Sequence, residues 1–345
     1  MFKSINLDQE KPIFIIGAKR GGTTLLRRII DAHSAISIPP PGWFYHYIYP
    51  YLYSYGDLSQ DENSLELIQD CLKLPIVAKY WNIRAAPEEI IGWLPERSFR
   101  GVFSVLSMHY AKKKKGVSLW GSKAPGDAFW IREMQKDFPN ARFVFIYRDG
   151  RDVSIDLEEV LWGPNNIYSA CMVWKRHIEA ILWAKKELKN ESYYEIYYEN
   201  LVRDPEKVAK GIFDFLKLDY EPSVLNYHSN ATDTFMTTSS YHSKTNSPIT
   251  DKYVGMYKKL PLLERQAQIQ AIGNLLEELG YDFEDKPREV GSWELIRYQE
   301  EDDHGGLMLK GGVEFMDKLK RRRVEKLSQG IWSAEDKTQF FRKTS

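Results

Sequence analysis

Two glycine-bearing turns hold the residues best suited to chemistry in this chain. The first, Gly17-Ala18-Lys19-Arg20-Gly21-Gly22-Thr23-Thr24, follows the apolar run Ile13 to Ile16 and precedes a stretch with Leu25, Leu26, Ile29 and Ile30 at helical spacing. Strand, glycine-rich turn, helix is the context in which a loop cradles an anion. Gly21 and Gly22 let the backbone approach a ligand, the helix N-terminus offers free amides, Thr23 and Thr24 add hydroxyls, and Lys19 and Arg20 supply charge. The second turn, Arg148-Asp149-Gly150-Arg151-Asp152-Val153-Ser154, ends the run Arg142 to Tyr147 and places Arg148 at the C-terminal end of a strand, where ligands gather in α/β sheets. Taken singly, each turn has a plain structural reading: a strand-to-helix connection, a surface ion pair. Two basic strand ends on one sheet edge describe a clamp for a ligand with two separate anionic groups.

The first turn departs from the nucleotide-triphosphatase pattern G-x-x-x-x-G-K-[ST]. Gly17 and Gly22 match it, but Thr23 stands where the lysine must reach the β- and γ-phosphates. The second strand closes on Tyr147-Arg148 and carries no acidic residue to hold magnesium there. The chemistry suggested is anion binding by donors and arginine, with no metal.

The positioning elements read as an α/β fold. A third strand, Tyr193 to Tyr198, leads into Asp204-Pro205, an N-cap and first-turn pair for a helix from Glu206 to Leu216. Strands alternating with helices imply a central parallel sheet with helices on both faces, a three-layer arrangement. Helices are expected around 64–72, 87–94 and 98–115, within a mostly helical insert at about 43–120, and another from Leu262 to Leu279, stopped by Gly280. The amphipathic stretch after the second turn runs from Asp152 towards Leu161. The main domain is expected to close near residue 284, leaving 285–345 as a charged, partly helical C-terminal extension.

The chain has 345 residues, 43% hydrophobic, with 48 Lys plus Arg against 48 Asp plus Glu. That composition is globular, and a net charge of zero gives no general field for nucleic acid. Cys71 and Cys171 build neither a disulfide framework nor a clustered metal site. No signal-peptide core or run of eighteen apolar residues is visible, so the expected compartment is the cytoplasm.

Four segments in order, PIFIIGAKRGGTTLLRRIIDAH, WGSKAP at Trp120 to Pro125, RFVFIYRDGRDVS and YYENLVRDPEKVAKGIFDFLKL, resemble the sulfotransferases that use 3′-phosphoadenosine 5′-phosphosulfate (PAPS), with most likeness to soluble bacterial and protein-tyrosine types. The resemblance implies a P-loop NTPase-like sheet whose first turn, Lys19 to Thr24, grips the 5′-phosphosulfate and whose Arg148 holds the 3′-phosphate. It also implies that Lys123 lies near the transferring group, where with Arg20 it meets the charge that grows on the departing oxygen. Tyr198 becomes a candidate neighbour of adenine. Gly21 replaces a common serine. The family's serine eight residues after the arginine is Asp156 here, so either Asp156 points away from the phosphate or Ser154 substitutes.

The family's glutamate base gives way to Pro39-Pro40-Pro41-Gly42; His46 is the preferred substitute and His109 the second, while His33 reads as a helix cap. The aromatic run Trp43 to Tyr55 either packs into the core or lines the acceptor pocket for a carbohydrate, metabolite, lipid or phenol. Lys112 to Lys115 and Lys320 to Arg323 read as solvated faces, and Lys244 and Lys252 as possible phosphate contacts in a covering loop. Two rival functions remain open: a non-catalytic module binding a bis-phosphorylated adenine nucleotide, and a kinase on the same fold.

Overall fold

The structure, a computed structural model, describes residues 2, 4–160, 162–229, 246–289, 291 and 293–295. Lys244, the Lys320–Arg323 cluster and nearly all of the 285–345 extension lie outside these residues.

Strand β1 (Ile13–Gly17) runs through the first turn into helix α1 (Thr23–Asp31), followed by the short β2 (Ile36–Ser37). Helices α2 (Phe44–Tyr47), α3 (Asp61–Lys73), α4 (Pro87–Ile91) and α5 (Phe99–Ala111) come next, then β3 (Leu119–Lys123), α6 (Ile131–Asp137) and β4 (Arg142–Tyr147). The chain continues through α7 (Gly150–Glu158), α8 (Ile167–Lys185), β5 (Tyr193–Tyr197), α9 (Tyr198–Arg203), α10 (Pro205–Leu216) and α11 (Leu262–Glu278). The strand order is β2-β3-β1-β4-β5 in a parallel sheet, with Ile36 opposite Leu119 and Phe143 opposite Tyr193. This is the α/β architecture that the alternating pattern implies.

Two compact units are distinguished, one comprising the residues up to Ile13 with Ser34–Ala141, the other Phe14–His33 with the described residues from Arg142 onward. In the first unit the aromatic run is mostly core. Phe44, Tyr45, Tyr49, Tyr53 and Tyr55 are buried, and Tyr45 and Tyr49 pack edge-on against Phe99 of α5. Trp43, His46 and Tyr47 are left half-buried. In the second unit Phe143 to Tyr147 are almost completely buried, as a strand covered on both faces requires. Gly150 lets α7 begin close to its neighbours, since a Cβ there would lie 2.6 Å from both Ile272 and Trp174.

Several expected boundaries shift. The helix expected at 98–115 ends at Ala111, and α7 begins at Gly150 because Asp149, not Asp152, caps it by accepting from the Arg151 amide. Tyr198 opens α9 instead of closing β5. Helix α8, nineteen residues capped by the Asn166 side chain, was not foreseen. Gly280 takes φ 77°, as a helix-stopping glycine does.

Candidate active site: an anion loop and a buried arginine

In the second unit the first turn is shaped by two left-handed residues, Arg20 (φ 63°) and Gly22 (φ 92°), and by a hydrogen bond from the Gly21 amide to Ala18 O at 2.9 Å. A non-glycine residue in the left-handed region is strained, and such strain concentrates at ligand-binding loops. A Cβ on Gly21 would sit 2.9 Å from Ala18 O, so the glycine that replaces the common serine fits this tight turn. Gly22 caps α1 without a side-chain hydrogen bond. Thr23 is buried and Thr24 half-buried. Lys19 is half-buried with its ammonium 5.7 Å from the Trp162 ring centroid, and burial pulls its pKa down.

Arg148 lies directly beside this loop. Its side chain is 4% exposed; Nη1 donates to Arg20 O at 3.0 Å and to Asp156 Oδ2 at 2.5 Å, and Nη2 donates to Tyr253 O at 3.1 Å. The Nε donor is buried with no hydrogen-bond partner. The guanidinium covers the Tyr198 ring at 4.6 Å, and that ring is so close to the loop that a Cβ on Gly22 would meet its Cδ2 at 2.6 Å. Tyr198 is thus the floor beneath both turns, with one ring face already covered by the arginine. Burial raises its pKa first, against the lowering influence of Arg148.

Asp156 and Ser154, the two residues weighed for the family's serine, are both hydrogen-bonded within the protein. The Asp156 carboxylate turns onto Arg148. The Ser154 hydroxyl is fully buried, donating to Arg151 O at 2.9 Å and accepting from Gln268 Nε2 at 2.9 Å. The remaining charges of the turn are also engaged. Asp149 binds Arg151 through both oxygens, Asp152 accepts from the Gly255 and Tyr257 amides at 2.7 and 3.0 Å, and Glu199 accepts from the Asp149 amide and from Tyr281. The loop expected to cover a ligand, which includes Lys252, is therefore tied to α7 by Asp152 and to Arg148 by Tyr253 O.

In the first unit Lys123 ends β3 and is buried at 3% exposure. Asp127, four residues on, is also buried, with Oδ1 lacking a partner; loss of solvation pushes its pKa up to about 8 against the lowering influence of the Ala124 amide and Lys123. Sequence reasoning missed Asp127; its spacing from Lys123 was the available signal. His46 packs on Trp43 and Tyr47 at 5.5 and 4.8 Å, against Gly126, where a Cβ would lie 2.8 Å from its Nδ1. Trp43 itself takes the left-handed φ of 59°. His109 stacks on Trp93 at 5.2 Å. In the second unit His33, just past α1, has its Nε2 2.9 Å from Asp219 O in the segment after α10, a long-range contact.

Among the described residues no helix is long and apolar enough to cross a membrane, and no His/Cys/Asp/Glu cluster is arranged to hold a metal ion. The protein-tyrosine sulfotransferase A of Caenorhabditis elegans is 23% identical over 318 residues, covering 89% of this chain and 75% of the relative. An omega-hydroxy-beta-dihydromenaquinone-9 sulfotransferase of Mycobacterium tuberculosis is 25% identical over 327 residues, covering 79% and 76%. Among solved structures, the sulfotransferase domain from the curacin biosynthetic pathway superposes with a TM-score of 0.55 at 21% identity, covering 80% of this chain and 99% of that one, which establishes a shared fold. The model of the sulfotransferase family matches residues 12–222, a span holding both turns, Lys123 and Tyr198, and the chain belongs to that family.

Proposed function

We propose that this chain transfers a sulfuryl group from PAPS to a hydroxyl or amine acceptor. The observation that supports this most is the bond from buried Arg148 to Arg20 O, with the Arg148 Nε still unpartnered. It makes the two turns one preorganised anion receptor. Lys19, Arg20 and the amides and hydroxyls of Gly21 to Thr24 would hold the 5′-phosphosulfate, and Arg148 the 3′ end. Tyr198 would fix the relative position of loop and arginine. Ser154 would hold α7 against Gln268.

The donor supplies the group transferred; this chain's residues supply charge compensation. Arg20 and Lys123 are assigned to the departing oxygen, where removing one such donor typically costs about 10² to 10³ in rate. His46 is assigned to take the acceptor's proton. The half-buried Trp43, His46 and Tyr47 present an aromatic face suited to a sugar or a flat acceptor ring. A carbohydrate or small metabolite is our first assignment; the relatives' names, tyrosine and dihydromenaquinone, extend it to phenols and hydroxylated lipids. Because Cys71 and Cys171 are both free and buried, we assign a reducing compartment, the cytoplasm.

Radiolabelled donor incubated with glycans, phenols and hydroxylated lipids tests the proposal. Transfer that falls about 10² to 10³-fold in Arg20→Ala and in Lys123→Ala, with thermal stability kept, is the expected result. Tight nucleotide binding with no transfer to any acceptor would favour the non-catalytic module, which the missing glutamate supports.

A further inference from the structure

The second turn is not a bare cationic corner. From Arg148 to Asp156 the chain carries two arginines against three aspartates. Arg151 is neutralised by Asp149, and Arg148 by Asp156 in a pair whose side chains are 4% and 10% exposed. A phosphate arriving at Arg148 therefore meets an arginine whose charge is already balanced and a carboxylate in contact with it. A ribose hydroxyl arriving at the same place meets a carboxylate oxygen able to accept and a buried Nε able to donate. Like charges placed together in a poorly solvated site repel strongly, so the pair favours the hydroxyl over the phosphate.

We propose that Asp156 is a specificity-determining residue that limits affinity for a 3′-phosphate and admits adenine nucleotides with a free 3′-hydroxyl, the adenosine 5′-phosphosulfate class, at comparable affinity. This rests on the reading that Arg148 faces the 3′ end of the nucleotide. Position 156 carries out the discrimination because it shares Nη1 of Arg148 with Arg20 O, so the carboxylate cannot be bypassed without unseating the arginine from the loop. The Nη2 bond to Tyr253 O further restricts any swing of the guanidinium away from Asp156.

Calorimetric titration of the full chain with adenosine 3′,5′-bisphosphate and with AMP, at fixed pH and ionic strength, tests this without any turnover. In the wild type the two affinities are expected to lie within about tenfold. Asp156→Ser is expected to strengthen the bisphosphate by on the order of tenfold or more, and not to strengthen AMP, whose 3′-hydroxyl loses the carboxylate acceptor. Asp156→Asn, which keeps shape and removes charge, should move the same way and serves if the serine variant folds poorly. An unchanged or weakened bisphosphate affinity in both variants overturns the proposal. Adding Arg148→Met to Asp156→Ser separates the two levels: the gained preference should vanish, and a preference that survives means the 3′ end does not lie at Arg148, which refutes the reading beneath.

Discussion

Replacing Gly22 by alanine should damage the anion loop through two effects of similar size that can be measured apart. Gly22 holds φ 92°, and placing an L-residue in that region costs about 1–3 kcal/mol. The new Cβ would also lie 2.6 Å from Tyr198 Cδ2 and 3.2 Å from Ile146 Cδ1. The tyrosine ring has little room to withdraw, because the Arg148 guanidinium covers it at 4.6 Å, so relief of the overlap must move the arginine too. Overpacking of this kind costs about 1–3 kcal/mol. The sum, about 2–6 kcal/mol, corresponds to a fall in Tm on the order of 10 °C at about 2–4 °C per kcal/mol. In a Tyr198→Ala background the ring is gone and the backbone cost remains, with the looser Ile146 contact, so a double-mutant cycle by thermal or denaturant unfolding should give a coupling of about 1–3 kcal/mol. Equal cost of Gly22→Ala in both backgrounds would show that Tyr198 does not underlie the loop, and no cost at all would refute its left-handed turn.

Three other outcomes are expected. His46→Ala should remove the acidic limb of the pH–rate profile, measured as kcat/KM against pH, and an unchanged profile withdraws the base assignment. Burial holds Asp127 at about 8 and Asp137 at about 7, above the ordinary 3.8, so the fold favours their protonated forms. That stability is present below the unfolded value and lost as pH rises towards 7 and 8, by up to about 1.4 kcal/mol per pH unit per group. Chemical denaturation between pH 5 and 8 should show this fall, and Asp127→Asn should flatten it; an identical slope in the variant counts against the burial argument. Asp152→Ala should cost about 2–3 kcal/mol, since two backbone donors lose their acceptor, and should speed hydrogen exchange at Gly255 and Tyr257.

Much of this site was legible because backbone chemistry writes itself into sequence. Gly21 and Gly22 between an apolar run and a helical repeat announce a tight turn, and the structure puts the turn there, with positive φ at Gly22 and at Arg20. Asp204-Pro205 marked a helix start because a side-chain acceptor followed by a residue without an N–H has few other uses, and Asp204 does accept from the Lys207 amide. Strand β3 was not legible as a strand. Its Leu-Trp-Gly-Ser-Lys has neither alternation nor β-branched residues, and its place comes from close contact, with a Cβ at Gly121 lying 2.4 Å from Ile13 O. Helix α8 hid behind β-favouring Ile, Val, Tyr and Trp, although Ile167, Cys171, Trp174, Ile178 and Ile181 repeat at helical spacing and are all buried. The direction of Asp156 was half legible. Asp152 and Asp156 are four apart and share a helix face, but repulsion from an expected phosphate argues one way and attraction to Arg148 the other. Burial decides between them, because an arginine left 4% exposed without a carboxylate would carry an uncompensated charge.

The same burial bears on how the proposed anion receptor would work in a chain of zero net charge. Attraction over distance requires surplus charge, and the second turn has none, its arginines being matched by carboxylates. What it has is fixed direction: Arg148 is held by Arg20 O, Asp156, Tyr253 O and the Tyr198 face, and its backbone carbonyl by the Trp174 indole at 3.0 Å. A donor that cannot relax loses little entropy when a ligand meets it, and one turned away from water interacts more strongly than its solvated equivalent. In the first turn the fixed element is the backbone, where Arg20 and Gly22 hold left-handed conformations, and the proposed function would use it in the same way. Each turn restrains the other through the Arg148 to Arg20 O bond, so loss of the arginine removes a contact and also a support of the loop. Selectivity in such a receptor would follow from which acceptor completes each donor set, which is the role proposed for the carboxylate at position 156.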